Sequence, residues 1–295
     1  MIPKEDIQMK IGAMVESFRL GFRGGVEKAA ALGVAGIQAY ATNWGELAVD
    51  QMTDEKAKEV LDIVKSNGLV FSAICGDYGY GFDDPEKNPE MIEKSKRIID
   101  LAKKLECDIV TTHIHKVPTE ECAVKEVMRK ACRELAVYAD SIGSAFALET
   151  GPEFGEVLGG FLDSLGANGV RVNFDPANLV MVAGDRPENA LKYIGKYVVH
   201  THAKDGIKLH KPAEGEVLLG EEAKHHAELA KLGHEYLELP LGKGDVDFDI
   251  YLPALSAAGF DGFLTIEREC GDAPEKDIAM AVDFLKEKLA KYNLG

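Results

Sequence analysis

Eight short runs rich in Val, Ile, Phe and Ala recur along this chain of 295 residues, at 11–18, 36–41, 70–76, 109–114, 145–151, 170–175, 198–205 and 263–269. Between them lie stretches of helical period, among them 53–68, 119–143 and 275–292. Apolar runs of this length bounded by turn residues read as buried strands, and their alternation with helices reads as repeated β-α units on a parallel sheet. The segment 53–68 is typical. Val60, Leu61 and Val64 form an apolar stripe while Glu and Lys take the opposite face, so this helix is expected to pack on the outside of a sheet. Eight strands, each followed by a helix, close most naturally into a (β/α)8 TIM barrel, an α/β fold, here one domain over 1–295. A doubly wound open sheet is the weaker alternative, because no Gly-rich phosphate turn follows the first strand.

Two connections are longer than such units need. One is "DYGYGFDDPEKNP" at 77–89; the other is an insertion at about 206–245 that contains "GEEAKHHAELAKLG", read as a short helix of its own. Both leave C-terminal strand ends and are candidate lids or subunit contacts. The net charge of −16 argues against a surface that collects nucleic-acid backbones. No apolar run is long enough to span a bilayer, and the opening "MIPKEDIQMK" lacks the apolar stretch of a secretory signal, so a cytoplasmic protein is expected. Five scattered cysteines without a C-x-x-C pair read as small buried hydrophobes rather than as a redox or zinc site.

In a barrel, the C-terminal ends of neighbouring strands meet at one mouth however far apart they are in sequence. Glu149 in "ALETG", Asp175 in "NFDPAN", His202 in "HTHAKD" and Glu267 in "TIERE" stand at the ends of the last four predicted strands. Three carboxylates and an imidazole in one half-buried mouth repel strongly unless a cation neutralises them. A divalent metal is therefore expected. Carboxylate oxygens with one imidazole suit a hard ion such as Mn²⁺ or Mg²⁺, whereas zinc more often brings further His or Cys.

The ordered set "ALETG", "NFDPANLVMVAGD", "VVHTHAKDG", "LPLGKGDVDF" and "FLTIERE" resembles the xylose-isomerase-like TIM barrels, in particular the sugar phosphate isomerase/epimerase group of the AP endonuclease family 2 superfamily. The resemblance spans nearly the whole chain and is densest from Glu149 onward. It implies that Glu149, Asp175, His202 and Glu267 hold one divalent ion, with Mn²⁺ expected first and Mg²⁺, Co²⁺ or Zn²⁺ as alternatives. It also implies that Glu149 and Glu267 form a catalytic acid/base pair. Proton abstraction beside a carbonyl, through a metal-stabilised enediolate, would then isomerise or epimerise a sugar, sugar phosphate or cyclic polyol. A lyase using the same site, such as a keto-inositol dehydratase or a C-glycoside-cleaving subunit, begins with the same step. The pattern departs from the ketose 3-epimerases in having Asn178 where a histidine is expected, and in offering only Lys204 and Lys208 where an arginine is expected. The trinuclear-zinc repair endonucleases of the superfamily need more histidines than this chain supplies. A non-catalytic metal or sugar binder is the remaining reading.

Substrate contacts are expected from His113, which shares a strand face with His115, and from Lys204, on the His202 face. Asn178, Glu153, Glu16 and Trp44 complete the candidate set, the last as an aromatic wall for a sugar. His200, two residues deeper than His202, reads as a packed barrel residue, and Asp205 as the cap of the following turn. A small-molecule carbohydrate is the expected partner, with neither nucleic acid nor membrane, and a homo-oligomer is a family expectation.

Overall fold

The computed structural model describes residues 7–43, 45–213 and 220–295. The predicted strands appear as β1 (Lys10–Met14), β2 (Gly36–Tyr40), β3 (Val70–Cys75), β4 (Ile109–Thr112), β5 (Ala145–Glu149), β6 (Val170–Phe174), β7 (Val198–Ala203) and β10 (Phe263–Ile266). They close into a parallel barrel in the order β1-β2-β3-β4-β5-β6-β7-β10 and back to β1. Most runs extend past the observed strands, because their last residues already turn out of the ladder to form the mouth. His113 and Glu267 both lie just beyond a strand end.

Outside the barrel, the helix Asp54–Ser66 starts on Thr53, whose hydroxyl accepts from the Lys56 N–H, and buries Ala57, Val60 and Val64. The helices Asn88–Lys104 and Ala123–Ser141 bury Ile98, Ile99, Met128 and Leu135 in the same way. The barrel interior is unusually polar. Gln38, Ser72, Thr111, Asn173, His200 and Thr265 are all buried there, where branched apolar side chains are the norm. Gly12 makes room for this layer: a Cβ at that position would stand 2.8 Å from the Thr265 hydroxyl.

The insertion holds the expected helix, Gly220–Lys231, and two strands that the sequence pattern did not announce. These are β8 (Asp205–Lys208) and β9 (Tyr236–Leu239), an antiparallel pair separate from the barrel. At four residues each they are too short to show a period. The insertion is closed at its neck by Asp205. Its carboxylate accepts from the N–H groups of Gly206 (2.8 Å), Gly242 (2.9 Å), Gly244 (2.9 Å) and Val246 (3.1 Å). Gly244 permits the approach, since a Cβ there would fall 2.2 Å from Asp205 Oδ1. Among the described residues no helix is long and apolar enough to cross a membrane.

Replacing Asp205 with alanine strands these donors in a largely buried neck. A loss of about 2–4 kcal/mol in urea unfolding is expected, together with faster protease cleavage within 206–245. Cleavage at the wild-type rate would show that the neck does not depend on this carboxylate.

Candidate metal centre

The mouth of the barrel is built on its polar interior. His200 donates from Nδ1 to Asn173 Oδ1 (2.8 Å), and its Nε2 meets the Thr265 hydroxyl at 2.8 Å. Burial holds the His200 pKa well below the usual histidine range, so the ring is neutral and serves as packing. With Asn173 Oδ1 committed downward, its amide nitrogen donates upward to Glu149 Oε2 at 3.0 Å. Gln38 is fixed likewise: its Nε2 donates to Thr111 Oγ1 at 2.9 Å and its Oε1 accepts from His202 Nε2 at 3.1 Å.

That last bond sets the His202 tautomer and turns Nδ1 toward the mouth. Around Nδ1 stand Glu149 Oε1 (3.4 Å), Glu267 Oε2 (3.4 Å) and Asp175 Oδ2 (3.5 Å). One ligand atom from each of the four residues lies within 4.8 Å of all the others. Asp175 reaches this point because its other oxygen, Oδ1, caps the turn Pro176–Asn178 by accepting from the N–H groups of Ala177 (2.8 Å) and Asn178 (3.0 Å). Thr150 locks the neighbouring strand ends by donating to the Asp175 carbonyl and accepting from its N–H, both at 2.8 Å.

Asp175 Oδ2 and His202 Nδ1 are buried and have no hydrogen-bond partner. Native structures seldom leave such atoms unpaired, and here the two orphans converge on one point among carboxylates. The donor set of three carboxylates and one imidazole fits a divalent cation at that point. Burial disfavours charge on the His202 ring, but the Glu267 and Glu149 carboxylates outweigh it and hold the imidazolium well above the usual range. For Glu149 burial again opposes the charge, and His113 and His202 overcome it to hold the carboxylate well below its usual range.

The remaining candidate residues take the following places. Asn178 donates from Nδ2 to Glu149 Oε1 at 3.0 Å, which fixes that carboxylate from above. His113 is half exposed at the mouth, with Nε2 3.4 Å from Glu149 Oε1 and Nδ1 2.9 Å from Asp77 Oδ2. The Glu149 carboxylate, with Asp77, pushes the His113 pKa up to about 12. Lys204 is buried, and its ammonium donates to Glu267 Oε2 (2.8 Å) and to Glu269. Glu153 is buried behind the mouth and accepts from the Val117 N–H at 3.2 Å; burial pushes its pKa up to about 7. Glu16 follows β1 and accepts from the Tyr40 N–H at 3.0 Å, and burial raises its pKa to about 7 as well. Trp44 lies outside the described residues.

Gln38, Asn173 and Asp77 were not singled out from the sequence. Asn173 carries a readable signal, since it lies two residues before Asp175 on the same strand face. Gln38 carries another, as an amide inside the apolar run 36–41. Asp77 opens a loop and has no comparable signal.

A metal at this point competes with the proton on His202 Nδ1. Mn²⁺ affinity is therefore expected to rise with pH, and each ion bound should release about one proton. Calorimetry in buffers of differing ionisation enthalpy reads this directly, and uptake of Mn²⁺ with no proton released would place the ion elsewhere.

The model of the Xylose isomerase-like TIM barrel family matches residues 26–288. No curated protein matches the sequence. Among solved structures, a Xylose isomerase domain protein from Planctomyces limnophilus is 25% identical, with a TM-score of 0.78 over 98% of this chain and 99% of that one. A Xylose isomerase-like TIM barrel protein from Mycobacterium smegmatis, in complex with magnesium, is 16% identical with a TM-score of 0.72 over 100% of both chains. A D-tagatose 3-epimerase-like protein is 15% identical with a TM-score of 0.71 over 97% of this chain and 98% of that one. With its closed eight-stranded barrel and its buried Glu/Asp/His cluster, the chain belongs to the xylose isomerase-like TIM barrel family.

Proposed function

We propose that this protein is a divalent-metal-dependent isomerase or epimerase of a sugar, sugar phosphate or cyclic polyol. The observation that carries the reading is the convergence of two unpartnered buried atoms, Asp175 Oδ2 and His202 Nδ1, on one point beside Glu149 and Glu267. Mn²⁺ is the ion proposed, and the hard donor set suits Mg²⁺ too, the ion named for the Mycobacterium smegmatis structure. When bound, such an ion supplies Lewis-acid polarisation of a carbonyl and its neighbouring hydroxyl, which acidifies the C–H between them.

The chain's own groups do the rest. Glu149 comes from β5 and Glu267 from the end of β10, so the two carboxylates flank a bound sugar from separate sides. One takes the proton from carbon and the other returns it. Glu149 is oriented for this by the amides of Asn173 and Asn178, and Glu267 by the Lys204 ammonium. His113 is half exposed beside Glu149 with its ring bonded to Asp77, which supports a role for it in donating to a substrate hydroxyl. Glu16 is proposed as a further substrate contact, while Glu153 is buried and bonded to the Val117 N–H. The D-tagatose 3-epimerase-like relative supports the reaction class, although Asn178 stands where the ketose 3-epimerases carry histidine.

The test is a screen of ketoses, their phosphates and inososes with Mn²⁺-loaded protein in deuterated water, following C–H exchange by NMR. Exchange with no loss of water is expected, and Glu149→Gln or Glu267→Gln should slow it roughly 10²–10⁴-fold. Release of water or of an aglycone would make the protein a lyase. Full exchange in both variants would remove the glutamates from the proton transfer.

A further inference from the structure

The 206–245 insertion contributes no atom to the four-residue cluster, yet it sends one carboxylate into the network behind it. Glu238 lies on β9, which begins at the exposed Tyr236, and its side chain is only 3% exposed. Its Oε1 accepts from Arg268 Nη1 and from the N–H of Glu269 at 3.2 Å and Cys270 at 3.5 Å. Its Oε2 lies 3.9 Å from Lys204 Nζ, the ammonium that bonds Glu267 Oε2. Arg268 is also tied by Nε to Asp277 Oδ2 (2.9 Å), in the helix Pro274–Tyr292.

These contacts bear on Glu267 because β10 ends at Ile266. From Glu267 onward the ladder no longer fixes the backbone. Glu267 N–H still reaches the Ala203 carbonyl at 3.3 Å and Arg268 N–H reaches Ser17 Oγ at 3.0 Å, but the next two amides turn to Glu238. We infer that Glu238, carried in by the insertion, is a positioning residue for the metal centre: its carboxylate anchors the segment 267–270 and shares the Lys204 ammonium, and so holds Glu267 in the ligand set.

The physical argument has two parts that act in the same direction. Without the Glu238 charge, Arg268 loses the buried one of its two anionic partners and the segment carrying Glu267 loosens. Lys204 also leans more heavily on Glu267, which weakens that carboxylate as a donor to a cation. Residues that orient metal ligands in this way commonly change affinity by one to two orders of magnitude when replaced.

The test is Mn²⁺ binding to the full chain, by calorimetry well below the thermal midpoint of each metal-free protein. Glu238→Gln keeps the shape and removes the charge, and is expected to weaken Mn²⁺ about 10-fold or more. Glu235→Gln removes an equal charge from the exposed start of the same hairpin and is expected to bind as wild type. A purely structural role for Glu238 would instead lower the thermal midpoint and leave Mn²⁺ affinity unchanged, which overturns the inference. Should Glu238→Gln fail to fold, Arg268→Lys carries the test. It keeps the charge but loses the double reach to Glu238 and Asp277, so weaker Mn²⁺ binding supports the inference and wild-type affinity overturns it. A wild-type protein that binds no Mn²⁺ overturns the metal centre and this inference together.

Discussion

Three carboxylates crowd around one imidazole nitrogen in a buried mouth, and the rest of the site is arranged around the cost of that crowding. Two like charges 4 Å apart repel by about 4 kcal/mol at the effective dielectric typical of proteins. Three such pairs sum to about 12 kcal/mol, comparable to the whole stability of an ordinary domain. The cluster therefore needs positive charge. Lys204 supplies part of it through Glu267, and the proton on His202 Nδ1 supplies another part. Neither satisfies Asp175 Oδ2, and a divalent ion at the centre of the four ligand atoms does.

A cation alone would not hold such a cluster in one geometry. That task falls to the polar interior of the barrel, where His200, Thr265, Asn173, Gln38 and Thr111 are joined by hydrogen bonds. None of these five residues has a buried side-chain nitrogen or oxygen without a partner, so the orientation of one fixes the next. Asn173 cannot flip without placing its amide nitrogen against the Nδ1–H of neutral His200, and Gln38 cannot flip without turning its nitrogen on His202 Nε2–H. An apolar interior would pack as densely but would leave Glu149 and His202 free to rotate. Buried networks of this kind are costly unless complete, and here completeness is what points the ligands at one another.

Much of this was legible in the sequence, for physical reasons that differ by residue. The barrel followed from eight strand-helix alternations, and once the barrel is granted, Glu149, Asp175, His202 and Glu267 must stand at one mouth. Lys204 was legible as facing the His202 side, but its partner was not. The pairing of Ile266 with Ala203 sets Glu267 opposite Lys204, and such a register between two strands far apart in sequence leaves no trace in the periodicity of either. Glu238 was hidden for another reason. Its strand is too short to show alternation, and a lone glutamate in "YLEL" looks like a solvated residue until Arg268 is seen beside it.

The position of the insertion follows from the same topology. It leaves the chain between β7 and β10, which are neighbours in the barrel and carry His202 and Glu267. A segment inserted there emerges beside both ligands and reaches the loop after β10 without crossing the mouth. The Asp205 carboxylate gathers the two ends of the insertion at its neck, so the pairing of β7 with β10 continues undisturbed below it. Chain added at this seam can therefore touch the support of Glu267 while leaving the barrel ladder intact. At the other seams of the described barrel the connecting segments reach an outer helix without adding strands of their own. The strands added at this seam thus emerge where they can act on the support of the metal centre.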